Sequence, residues 1–146
     1  MATQGWGGYG FDGRQLQQLG PSPAAAKKRR KGVNELVLEQ LGTTLERDLE
    51  TWTEALLTAA MAEGGCRAWF HLPDTSSKKR GTSGFLDLAI VPRTGLPIAL
   101  ELKRTDGLGR VSPEQQVWLE SWGERGAVAS SQAEVLDFLR RWGVVA

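Results

Sequence analysis

Asp87, Glu101 and Lys103 are the residues of this chain whose types and spacing best suit chemistry. They lie within Leu86-Asp-Leu-Ala-Ile-Val-Pro-Arg-Thr-Gly-Leu-Pro-Ile-Ala-Leu-Glu-Leu-Lys103, which reads as two short strands joined by a turn. Even positions Leu86, Leu88, Ile90, Ile98, Leu100 and Leu102 are large aliphatics, whereas odd positions hold Asp87, Ala89, Val91, Ala99, Glu101 and Lys103. Successive strand side chains point to opposite faces, so one face builds a core and the other gathers two carboxylates and an ammonium. A hairpin centred near Thr94 would set Asp87 opposite Glu101, with Cβ atoms roughly 5 Å apart. Carboxylates that close repel unless a cation lies between them. A hard divalent ion such as Mg²⁺ or Mn²⁺ suits an all-oxygen site and keeps positions open for water and a phosphate oxygen. The competing reading is a surface hairpin with a cross-strand ion pair.

Punctuation and period supply the elements that must position these groups. Asn34 to Gln40 reads as a short helical turn interrupted at Gly42. Thr43 is expected to cap a longer helix reaching about Glu63, with Leu45, Leu49, Trp52, Leu56 and Ala59 as its apolar stripe. Strands are expected over Cys66 to Leu72, Leu86 to Val91, Ile98 to Lys103 and Ala127 to Ser130. Ser112 with Pro113 opens a helix between the last two strands. Ser131 with Glu134 opens a terminal helix whose stripe is Val135, Leu136, Phe138, Leu139 and Trp142. The order α-β-β-β-α-β-α predicts an α/β fold, a mixed four-stranded sheet flanked by helices.

Gly84-Phe-Leu-Asp87-Leu, then Glu101-Leu-Lys103, then Ser112-Pro-Glu-Gln115-Gln-Val-Trp118-Leu119 followed by Gly126, resembles the VRR-NUC domain. That domain is a branch of the PD-(D/E)XK nuclease superfamily, found as free-standing phage and bacterial proteins and inside larger repair nucleases. The resemblance runs from roughly Leu45 to Trp142. It implies a restriction-endonuclease-like core, with Asp87 as the motif's Asp, Glu101 and Lys103 as its Glu-X-Lys, and Gln115 as the Gln of the following helix. Leu86 stands where the family usually has Pro. The family often adds an early helical Glu, for which Glu46 and Glu50 are the weak candidates. Thr43-X-X-Glu46 reads equally as a capping box, and Glu50 falls off the apolar stripe in a solvent-facing position. Gln115 is likewise ambiguous: it completes a capping box with Ser112, yet shares a face with Trp118, Leu119 and Trp122.

The chain has 146 residues, 40% hydrophobic, which suits one domain with a single core. One cysteine, Cys66, gives no internal disulfide framework. His71 has no second His or Cys with which to form a zinc cluster. No apolar run approaches the roughly 20 residues of a membrane span and no signal peptide is visible, so a cytoplasmic protein is expected, or a nuclear one in a eukaryote. Residues 1–32 read as a basic arm ending in Lys27, Lys28, Arg29, Arg30 and Lys31, and residues 33–146 as the nuclease-like domain. The arm also holds Trp6 and Tyr9, which could stack on bases. Lys78, Lys79 and Arg80 form a second basic cluster in the loop leading to Asp87. Either cluster could contact phosphate or remain a solvated tail or loop, and the first could also be a nuclear address.

The reading that follows is a metal-dependent DNA endonuclease selective for branched or Holliday-junction DNA. Asp87, Glu101 and the backbone carbonyl of Leu102 would hold Mg²⁺ or Mn²⁺, and Lys103 would orient or help deprotonate the attacking water. The family's junction resolvases imply a homodimer, with Trp122 or Trp142 supplying the interface if either is exposed. The alternatives are a restriction- or packaging-type nuclease, and a catalytically silent nucleic-acid-binding module.

Overall fold

The computed structural model describes residues 29–72 and 85–146. Lys27, Lys28, Lys78, Lys79, Arg80, Trp6, Tyr9 and Gly84 lie outside them. The elements are α1 (Val33–Leu38), α2 (Glu46–Ala62), β1 (Cys66–His71), β2 (Leu88–Pro92), β3 (Ile98–Leu102), α3 (Pro113–Trp122), β4 (Gly126–Ala129) and α4 (Gln132–Arg141), with a 3₁₀ turn over Gly123–Arg125. The four strands form one sheet in the order β1-β2-β3-β4. The first three are antiparallel and β4 runs parallel to β3. A parallel neighbour needs a crossover, and α3 provides it. This is a mixed four-stranded α/β sheet with flanking helices.

The aliphatic alternation selects the buried face. Leu88, Ile90, Ile98, Leu100 and Leu102 join one core cluster with Leu49, Trp52, Leu56 and Leu57 of α2 and Val135, Phe138 and Leu139 of α4. Trp52 Nε1 donates to the Leu36 carbonyl at 2.9 Å, tying α1 to α2. Ala89 and Ala99, on the other face, are also buried. Beside them Gly126 pairs with Ala99, and a Cβ at Gly126 would lie 2.7 Å from Trp122 Cβ. These small side chains let α3 lie close against the second face of the sheet.

Several boundaries differ from expectation. Leu45, not Thr43, is the N-cap of α2, because the Thr43 hydroxyl is engaged by Asp48 and the chain stays extended through Leu45. The β2 ladder starts at Leu88, although the Asp87 carbonyl still accepts from Leu72 N at 2.9 Å. Ser112 and Ser131 cap α3 and α4 as expected. Trp122 is half-buried with the Arg125 guanidinium 5.5 Å from its ring, and Trp142 packs against the core. The exposed apolar side chains of α3 are instead Val117 and Trp118. No helix among the described residues is long and apolar enough to cross a membrane.

Candidate functional site

Strand register brings the carboxylates together. Leu88 faces Leu100, Ala89 faces Ala99 and Ile90 faces Ile98, a pairing symmetric about Thr94. One step further along, the same register sets Asp87 opposite Glu101. Asp87 Oδ2 accepts a 2.7 Å hydrogen bond from Leu102 N, so one carboxylate oxygen is fixed to the β3 backbone. Burial raises the Asp87 pKa above the usual carboxylate value, opposed by the Leu102 N–H and by Lys103.

Glu101 is 1% exposed, which is unusual for a carboxylate. Its Oε1 accepts from the Lys103 ammonium and from the Gln115 side-chain amide. Its Oε2 is buried and has no hydrogen-bond partner among the described residues. Burial pushes the Glu101 carboxyl up to about 7; Lys103 opposes this and the Asp87 charge adds to it. A buried acceptor left unmatched costs on the order of 1–3 kcal/mol, more when charged. Such a group is the kind that persists when a cation or a proton completes it.

Gln115 closes the capping box of α3 and also reaches Glu101. Its backbone N donates to Ser112 Oγ at 3.1 Å and its Oε1 accepts from Ser112 N at 3.0 Å, closing the capping box. With the oxygen end held there, the amide nitrogen is aimed at Glu101. Close packing of α3 on Gly126 of β4, where Trp122 and Leu119 leave no room for a Cβ, makes that reach short enough.

Of the two early glutamates, Glu50 approaches the site. It is half-buried, and burial, followed by the Asp87 charge, raises its pKa. The solvent-facing position expected for it is wrong because the flank of α2 lies against β1, the edge strand. Glu50 Oε1 lies 3.5 Å from His71 Nδ1, and Glu54 Oε1 lies 2.8 Å from His71 Nε2. His71, which sequence reasoning left without partners, therefore has two. Glu50 and Glu54 are one helical turn apart, but only the packing of α2 on β1 reveals the histidine they share. Glu46 adds charge near Glu50 and makes no capping box with Thr43.

The described part of the basic arm is partnered locally. Arg29 pairs with Glu35 and Lys31 with Glu39, each at 2.6 Å. Arg30 and Lys31 border a cleft of about 750 Å³ between α1 and α2 that includes none of Asp87, Glu101, Lys103 or Gln115. The ionisable groups converge on the hairpin and not on this cleft. The chain matches no family model, no curated protein and no solved structure.

Proposed function

We propose that this protein is a divalent-metal-dependent DNA phosphodiesterase, a structure-selective endonuclease of the VRR-NUC type acting on branched DNA as a homodimer. The observation that carries the reading is Glu101: a fully buried carboxylate, opposite a second carboxylate, with one oxygen unmatched. The order of strands, with α3 crossing over to a parallel β4, supports a restriction-endonuclease-like core.

In this reading Asp87, Glu101 and the Leu102 carbonyl hold Mg²⁺ or Mn²⁺, with Glu50 the early glutamate nearest to them. An ion bound there would polarise the scissile phosphate and lower the pKa of a bound water. The residues themselves divide the remaining work. Leu102 N–H and Gln115 fix the two carboxylates in register before substrate arrives. Lys103 has three N–H donors, one of them on Glu101, leaving two for the attacking water and a phosphate oxygen.

Incubation of the protein with Mn²⁺ and labelled linear, flapped, single-stranded and four-way-junction DNAs tests the reading. Paired symmetric nicks in the junction, with a dimer in sedimentation, are the expected result. Cleavage of linear duplex at defined sequences would favour the restriction- or packaging-type nuclease. Binding without cleavage of any substrate would leave a nucleic-acid-binding module.

A further inference from the structure

We propose that Phe85 and Trp118 form a stacking platform for one unstacked nucleic-acid base beside the Asp87 and Glu101 centre, and that this platform is what reads a branch point. The two ring centroids are 4.6 Å apart, with the ring planes tilted by 44°. Neither ring belongs to the core cluster, no residue of α3 is buried, and Trp118 keeps 36% of its surface exposed. Phe85 lies two residues before Asp87, no more than roughly 7 Å along the backbone, and Trp118 lies one helical turn after Gln115. Gln115 and Trp118 therefore share a flank of α3, the one from which Gln115 reaches Glu101. Each element that carries the centre also carries one ring.

Base chemistry suits this place. Every base has a flat π-face that an aromatic ring can take, whatever the sequence. Within a duplex that face is covered by the neighbouring bases, whereas a flap, a single strand or a branch point uncovers one. Lys103 shares Glu101 Oε1 with Gln115, and the exposed Arg110 lies two residues before the Ser112 cap of α3. Both put positive charge at the same end of that helix, for the phosphates that flank a stacked base. The rival occupant is a second copy of the chain. A stable subunit interface buries upwards of roughly 1,000 Å², whereas the exposed large apolar side chains of α3 are only Val117 and Trp118, which suits a single flat ring better.

This inference rests on the nuclease reading for its substrate, and the two fail separately because stacking is read without cleavage. The full chain is titrated in EDTA into a flapped duplex whose first unpaired nucleotide is 2-aminopurine, with anisotropy reporting binding and base fluorescence reporting stacking. Wild type is expected to bind the flap and quench the base. Trp118→Leu and Phe85→Leu should each weaken flap binding about tenfold and remove the quenching, with binding to blunt duplex held within about twofold. Trp118→Phe should keep most of both. Trp118→Leu decides if Phe85→Leu melts early, since Trp118 is the exposed ring. An abasic nucleotide at the probe position should weaken wild type as much as Trp118→Leu does, and weaken that variant no further. Flap affinity unchanged in Trp118→Leu, an abasic nucleotide without effect, or a dimer that Trp118→Leu splits into monomers would overturn the platform, and junction cleavage by wild type in Mn²⁺ would then spare the nuclease. Quenched, Trp118-dependent binding with no cleavage of any DNA in Mn²⁺ would keep the platform and count against the nuclease.

Discussion

Gln115 holds Glu101 with one end of its amide while the other end closes the cap of its own helix. A helix-starting motif has thereby become a positioning device. The Ser112 N–H fixes the amide's orientation, so the nitrogen is presented to the buried carboxylate with little freedom left to lose.

The two jobs of Gln115 separate by substitution. Gln115→Ala is expected to lose about 1 kcal/mol with the cap and to lower cleavage about tenfold to hundredfold. Gln115→Glu keeps a capping-box acceptor but sets a third carboxylate against Glu101. Its cleavage should fall at least as far although the cap survives. Thermal unfolding and single-turnover cleavage, measured on both variants, check this. Full activity in Gln115→Glu would show that the amide does not position Glu101 for catalysis.

Asp87→Asn and Glu101→Gln are each expected to abolish cleavage while leaving DNA binding equal or tighter, since both remove negative charge that faces phosphate. Lys103→Ala should retain metal binding and lose rate. Residual cleavage in Asp87→Asn above a few per cent of wild type would place the centre elsewhere.

The Glu101 carboxyl, raised from its ordinary value of 4.5 to about 7, makes stability depend on pH. Between these values the folded chain holds a proton that the unfolded chain has released, so the metal-free protein is destabilised as pH rises through the window. The expected loss between pH 4.5 and 7 is on the order of 1–3 kcal/mol. Mn²⁺ needs the ionised carboxylate, so its affinity should rise over the same range and its presence should flatten the stability profile. Denaturant melts at pH 5, 6 and 7, with and without Mn²⁺, measure both slopes. In Glu101→Gln the pH dependence should become shallower, the raised Asp87 and Glu50 carboxyls supplying what remains.

Gly126 sets how closely α3 approaches the sheet. Gly126→Ala puts a methyl group against Trp122 and is expected to cost about 1–3 kcal/mol by overpacking. Because the displaced helix carries Gln115, cleavage should drop more than the lost stability explains. Activity assayed well below the melting temperature, together with crosspeak shifts of the Gln115 side-chain amide in NMR spectra, distinguishes this from simple unfolding.

Deleting residues 1–28 leaves the Arg29–Glu35 and Lys31–Glu39 pairs and the Gly32 cap of α1 intact, whereas deleting 1–32 removes them. The shorter deletion should leave the melting temperature unchanged, and the longer one should lower it only slightly, since exposed ion pairs contribute little. If Lys27 and Lys28 touch phosphate, the log–log salt dependence of DNA binding should become shallower by about 0.9 for each phosphate that the shortened chain no longer neutralises.

The hairpin is legible in the sequence because its alternation is regular: aliphatics at even positions 86 to 90 and 98 to 102 fix the face, and the turn residues between Val91 and Ile98 fix the register. The caps of α3 and α4 are legible because Ser with an acceptor three residues on is a local signal. Thr43 misleads for the same reason, since its spacing to Glu46 fits a cap while its hydroxyl is bonded to Asp48 instead. His71 and the placement of Glu50 are not legible. Both follow from how α2 lies on β1, a tertiary relationship that no local pattern encodes. Trp122 and Trp142 are each only partly covered, and a helical stripe shows which residues share a face and not how deeply that face is covered.

Asp87, Glu101, Lys103 and Gln115 all fall within residues 87–115, a single hairpin followed by the start of one helix. Their meeting therefore closes only short loops, the cheapest kind for a chain searching its conformations. Glu50 and His71 must arrive from earlier in the chain, across longer loops. The hairpin group can assemble early in folding as one contiguous unit, while the carboxylate–imidazole edge is completed only when α2 docks on β1.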